Sequence, residues 1–119
     1  FDITKNVHKL VIKQNSVIQG LISFTDDYDF LYMNLIETAP HNFGKAKQYR
    51  GVAGNLVAYV CMKSFDKGFD GFVCFDAKTQ LIEHYEKSLG AFRISSQRMA
   101  IETNAAKNLV ARYFPKYKF

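Results

Sequence analysis

Gln48-Tyr49-Arg50-Gly51-Val52-Ala53-Gly54 is the stretch on which the fold turns. It follows an apolar, strand-like run over residues 30–36 and opens a helix-like run over residues 52–62. A strand, a turn of small residues and a helix start together form an anion cradle. The first turn of a helix has backbone N–H groups without intrahelical partners, and the aligned peptide dipoles add partial positive charge there. A phosphate or diphosphate can rest on those donors when no side chain blocks its approach. Gly51 and Ala53 keep the approach open, and Gln48 and Arg50 offer side-chain donors. The stretch predicts a ligand that carries a diphosphate.

Working outward, residues 7–13 are apolar and β-branched enough for a strand, and residues 17–25 read as its hairpin partner across Gln14-Asn15-Ser16. Asp26-Asp27-Tyr28-Asp29 makes a second turn before the strand 30–37, which gives an antiparallel meander. Pro40 ends that strand, and residues 41–48 are a polar connection. The helix 51–64 is apolar on nearly every side until Lys63, as a helix buried against a sheet should be, and Lys67-Gly68 closes it. Residues 69–75 are short and apolar, as expected of a parallel strand reached through a crossover helix. Asp76 is a plausible N-cap for the next helix, which sets Leu81, Ile82, Tyr85 and Leu89 on one face and Glu83 and Lys87 as an i,i+4 pair on another. Residues 92–95 and 99–102 read as a strand pair. Residues 104–114 read as an amphipathic helix capped by Thr103 or Asn104. The predicted class is α+β, a mixed and mostly antiparallel sheet flanked by helices in the order βββ-α-β-α-ββ-α.

At 119 residues the expectation is a single domain, 1–119. A hydrophobic content of 48% with 15% aromatic suffices for a packed core. No run approaches the roughly 18 apolar residues a membrane span needs, and no charged segment precedes an apolar one as in a secretory signal. The chain opens on Phe1, as an excised piece of a longer protein would. Cys61 and Cys74 lack metal-ligand spacing and read as buried free thiols suited to a reducing cytoplasm. His8, His41 and His84 are scattered, so no metal is expected. The net charge of +5 suits a polyanionic cofactor. No basic cluster with interleaved aromatics precedes the C-terminus, so neither nucleic acid nor membrane is expected as a partner.

Gln48-x-x-Gly51-x-Ala53 fits the (Gln/Arg)-x-x-Gly-x-(Gly/Ala) signature of the GNAT superfamily of N-acetyltransferases, which bind acyl-coenzyme A. The helix after it, the strand 69–75 and the helix carrying Tyr85-Glu86-Lys87-Ser88-Leu89-Gly90-Ala91-Phe92 resemble that family's next landmarks. About three-quarters of the chain, residues 7 to 102, lies on the template. The family's first strand and leading helices, which help to bind the acceptor, are absent or reduced to residues 1–6.

The resemblance implies transfer of an acetyl group from acetyl-CoA to an amine acceptor by direct attack. The pyrophosphate would bind at Gln48, Tyr49, Arg50, Gly51, Val52, Ala53, Gly54 and Asn55, and the pantetheine arm would pair with main chain near Leu35, Ile36 and Thr38. Glu37 stands where several members keep a carboxylate that deprotonates the amine; the bland alternative is a solvated strand-end glutamate. Tyr85 would protonate the departing sulfur, or else it is an amphipathic core tyrosine. His41 and Asn42 could face the acceptor. Lys78 occupies a position where the family often has Asn and could meet a phosphate. Tyr85 to Gly90 is also longer than the family's Tyr-x-x-x-Gly spacing. Gly51 and Gly54 have an alternative reading as residues that merely permit a tight helix start.

Rival readings fare worse. Gly51-Val52-Ala53-Gly54 lacks the basic residues expected of an RNA-clamping Gly-x-x-Gly loop. Neither Gly-x-Gly-x-x-Gly nor Gly-Lys-(Ser/Thr) is present. A non-catalytic acyl-CoA-binding or protein-interaction domain of the same fold is the alternative to an enzyme, and a homodimer remains open.

Overall fold

The computed structural model describes residues 6–12, 15–38 and 52–119, with side chains described at 21–34 and 53–119. Strands β1 (Asn6–Ile12), β2 (Asn15–Asp26) and β3 (Leu31–Thr38) form the expected meander. Helix α1 (Val52–Asp66) crosses over to β4 (Val73–Asp76), which pairs parallel to β3. A 3-10 turn (Thr79–Leu81) leads into α2 (Ile82–Leu89), then β5 (Phe92–Ser95), β6 (Arg98–Ile101) and α3 (Thr103–Tyr113). The strands form one six-stranded sheet in the order β1-β2-β3-β4-β6-β5, antiparallel except at β3–β4. The α+β class and the element order match the sequence expectation.

One face of the sheet is the core face. Ile22, Phe24, Leu31, Met33, Val73, Phe75, Met99 and Ile101 are all buried there, recurring with the period of two that puts alternate strand residues on one side. α1 covers this face with Leu56, Val57, Val60 and Cys61. α3 packs antiparallel against α1: the α1 start at Gly54 meets Tyr113, while Phe65 near its end and Ala106 both crowd Gly71. On α2, Ile82 and Leu89 are buried and Tyr85 packs against the core, while the Glu83–Lys87 ion pair lies outside at 2.9 Å.

The departures from expectation have local causes. The strand forecast at 69–75 begins only at Val73, because Gly68 (φ 81°), Asp70 (φ 56°) and Gly71 (φ 82°) turn the chain through left-handed conformations. Ser64 closes this turn: its buried hydroxyl donates to the Phe72 carbonyl at 2.9 Å, which also accepts the Leu31 N–H at 3.1 Å. Asp76 does not cap α2, because it is the last β4 residue and its carboxylate is held by Tyr32 and Arg98. Thr103 does not cap α3 either, because its hydroxyl donates to the Asp70 carbonyl at 2.7 Å. Cys61 is buried as expected, whereas Cys74 is only half-buried on the second face of the sheet.

Candidate functional site

The parallel pairing of β3 with β4 covers three rungs, Leu31↔Val73, Tyr32↔Cys74 and Met33↔Phe75. Beyond them β3 continues to Thr38, paired among the described residues with β2 alone, through Leu35↔Ser23, Ile36↔Ile22, Glu37↔Leu21 and Thr38↔Gly20. Past Asp76 the other strand leaves the sheet, with the Ala77 N–H bonded to the Gln97 carbonyl at 2.9 Å. The two strands therefore part after Met33 and Phe75.

A β-bulge marks the same point. Phe24 pairs with Met33 and Ser23 with Leu35, so Asn34 is an extra residue on β3. Such an insertion bends a strand and raises its local twist, which turns β3 away from β4 where the parallel rungs stop. Asn34 is held there, its Nδ2 donating to the Thr25 hydroxyl at 2.6 Å.

A cleft opens at the parting, lined by Met33, Asn34, Val57, Phe75, Asp76, Tyr85 and Leu89 and enclosing about 380 Å³ open to solvent. Tyr85 reaches it from α2, its ring edge-on to Phe75 with centroids 5.5 Å apart. Burial pushes the phenol's pKa above its ordinary value, and its hydroxyl has no hydrogen-bond partner among the described residues. The amphipathic face predicted for α2 is real. It packs the Tyr85 ring against Phe75, and the residue also lines the cleft.

The other sequence candidates divide by place. Leu35, Ile36, Glu37 and Thr38 lie on the part of β3 beyond the parting, where the backbone is described and the side chains are not. His41, Asn42, Gln48, Tyr49, Arg50 and Gly51 fall outside the described residues. α1 is described from Val52, which gives Val52, Ala53, Gly54 and Asn55 the first-turn N–H groups. Gly54 has a packing reason the sequence did not reveal: a Cβ there would overlap the Tyr113 hydroxyl and lie 2.9 Å from its Cζ. Lys78 is exposed before the 3-10 turn and does not line the cleft. Gly90 ends α2 at φ 70°, so the long Tyr85-to-Gly90 spacing follows from where that helix stops.

Sequence reasoning missed the cluster on the second face. There the Tyr32 hydroxyl donates to Asp76 Oδ2 and Arg98 Nε donates to Oδ1, both at 2.7 Å. These two bonds, that from Arg98 first, hold the Asp76 carboxyl below its ordinary pKa. No local motif could have signalled it, because its residues come from three separate strands.

The fold has counterparts among solved structures. The chain is similar to Tetrahymena GCN5, with TM-score 0.60 and 13% identity over 84% of this chain and 69% of that one. The fold is GNAT-like. It is also similar to the anti-CRISPR protein AcrVA5 (TM-score 0.56, 14% identity, 81% of this chain and 98% of that one). A third likeness is to a candidate acetyltransferase from Agrobacterium tumefaciens (TM-score 0.52, 17% identity, 81% and 71%). No family profile and no curated protein sequence matches the chain. At these identities the GNAT-like likeness speaks to the fold, and the chemistry rests on the cleft.

Proposed function

We propose that this chain is an N-acyltransferase that moves an acetyl group from acetyl-CoA to an amine. The observation that carries the reading is the parting of β3 from β4 beside Tyr85, one crossover away from the helix start that follows Gln48-x-x-Gly51-x-Ala53. An extended pantetheine arm needs main-chain groups free on one side of a strand. Among the described residues, β3 beyond Met33 pairs with β2 only and so would supply them.

The residues fit that cosubstrate. The first-turn N–H groups of α1, with Gln48 and Arg50, would hold the diphosphate. A main-chain N–H of β3 between Leu35 and Thr38 would polarise the thioester carbonyl. Glu37 would take a proton from the acceptor, leaving a neutral amine whose nitrogen bonds to the carbonyl carbon as the C–S bond breaks. Tyr85 would give its proton to the departing thiolate. A phenol is already protonated at neutral pH, as an acid in this role must be, and burial moves its pKa further up. Amide formation sheds a second proton from the nitrogen, which would return through solvent to Tyr85. The proton collected by Glu37 would pass to solvent, so one proton is released for each ammonium acetylated. His41 and Asn42 would border the acceptor, and Lys78 would meet a phosphate only if the ligand reached outside the cleft.

Calorimetric titration with acetyl-CoA and CoA tests the donor, and thiol release across an amine panel tests the chemistry. Tyr85→Phe should bind CoA like the parent and lose about 10²-fold or more in turnover, the scale of a lost general acid. Absence of binding by either nucleotide at low-millimolar concentration would sink the reading.

A further inference from the structure

The roles above leave the Tyr32–Asp76–Arg98 cluster unused. Asp76 ends β4, Arg98 stands directly across from it on β6, and Tyr32 is on β3. The sheet order is β3-β4-β6, so the Arg98 side chain crosses over β4 to bring its guanidinium carbon within 5.0 Å of the Tyr32 ring centroid. It lies on the second face, away from α1 and α2, beside the point where the strands part. Asp76 also lines the cleft that holds Tyr85, so the cleft links the helix side of the sheet to this cluster.

The hydrogen-bond inventory says what the cluster can still take. Both Asp76 oxygens are engaged, and Tyr32 has given its only proton. Arg98 has given its Nε–H to Asp76 and has an outer N–H near the Tyr32 hydroxyl. No other acceptor among the described residues meets its Nη groups. The open valence is therefore a guanidinium fork already fixed in direction by a carboxylate and a ring face. Such a fork matches a carboxylate in bidentate fashion. The cluster is neutral as a whole, and Asp27 and Asp29 lie close enough to act on Cys74 beside it. That surrounding charge favours a monoanion over a doubly charged phosphate. As a stability device the cluster is poorly placed, since Arg98 and Asp76 are 41% and 51% exposed and exposed pairs add little.

We propose that Arg98, oriented by Asp76 and Tyr32, binds a carboxylate of the acceptor, which is then a small amine that also bears a carboxylate, as a free amino acid does. The proposal rests on the acyltransferase reading: with the donor reaching the cleft from the Tyr85 side, the acceptor comes from the face that Arg98 overlooks. Arg98 is the recognition group, and Asp76 and Tyr32 are positioning residues.

The test compares α-amino acids with their primary amides at equal concentrations of neutral amine. Thiol release from acetyl-CoA is read alongside saturation-transfer NMR of each ligand, with and without CoA. Amino acids should exceed the matched amides by roughly tenfold or more in kcat/KM, the scale of a hydrogen bond to a charged group. Arg98→Gln should bring that ratio to about one and abolish the carboxylate NMR signal, with Arg98→Lys restoring part of both. Asp76→Asn and Tyr32→Phe should lower the ratio by raising KM for the acids more than they lower kcat. Equal use of acids and amides, or a ratio that survives Arg98→Gln, overturns the proposal. If CoA fails to bind, the donor reading falls by itself. The NMR comparison on the free protein then still decides: an Arg98-dependent carboxylate signal supports the recognition role, and its absence overturns it.

Discussion

Replacing Gly54 by alanine sets two calculable effects against each other. Alanine in a helix is favoured over glycine by up to about 1 kcal/mol. Against this, the new Cβ would overlap the Tyr113 hydroxyl and lie 2.9 Å and 3.1 Å from Cζ and Cε2 of the ring. The obstacle is the end of a stiff aromatic side chain on the last residue of α3, half-buried against α1. Overpacking of this kind costs about 1–3 kcal/mol. The net destabilisation should be about 1 kcal/mol, or a fall in melting temperature of about 4 °C for a domain of this size. Thermal and urea melts of the parent, Gly54→Ala, Tyr113→Leu and the double variant measure the coupling, expected at about 1 kcal/mol in favour of the double variant. A Gly54→Ala protein as stable as the parent, or more so, refutes the steric account. CoA affinity of the double variant then separates the two readings of the glycine. If stability returns and affinity does not, Gly54 also serves the ligand.

Ser64→Ala should cost about 1 kcal/mol in urea melts, because the Phe72 carbonyl loses one of its two donors and keeps the Leu31 N–H. The depressed Asp76 pKa means that its contribution is fully present above the unfolded value of 3.8 and is lost as pH falls through the lower folded value. Melting curves of the parent and Asp76→Asn should therefore converge only in strong acid, with a gap at neutral pH of under about 1 kcal/mol given the exposure of the pair. Tyr117 is pushed up to about 12, by burial first and by its bond to Asp66 second. Ultraviolet titration should show late-ionising tyrosines, Tyr32 and Tyr85 among them, and one of these transitions, near pH 12, should vanish in Tyr117→Phe. Its stabilising effect should hold below pH 10.0 and fade toward about 12.

The elements were legible where periodicity and punctuation agreed. The α2 face of Ile82, Tyr85 and Leu89 and the outward Glu83–Lys87 pair followed from helical spacing alone. The sequence pattern sets the start of β4 too early: Phe69 and Phe72 suit a strand, but the Asp70-Gly71 pair between them is a turn signal, and with Gly68 it takes the chain through left-handed conformations before Val73. Asp76 and Thr103 fitted a helix cap by type, yet tertiary partners claimed both side chains. Gly54, one residue past the Gln48-x-x-Gly51-x-Ala53 signature, reads from sequence as part of the cradle or of a tight helix start, and its packing role needed Tyr113, far along the chain. Local patterns state what a residue can do, and long-range contacts choose among those options.

The cleft itself depends on a backbone event that carries no sequence signature. Asn34 looks like any polar residue on a strand, yet as the bulged residue it changes which β2 residue each later β3 position faces. Register in a sheet is set residue by residue, so one inserted residue fixes the β2 partners of Leu35 to Thr38. The short β4 completes the effect, since a longer strand could pair with β3 past Met33 and close the gap. The Tyr32–Asp76 bond then ties the two strands together on the second face just before they separate. A cleft with the Tyr85 phenol on one side and the Arg98 guanidinium on the other thus follows from a bulge, an early strand end and a cross-strand hydrogen bond. Under the proposed acyltransferase reading, the motif at residues 48–53 would anchor the ligand and those three features would place its reacting end.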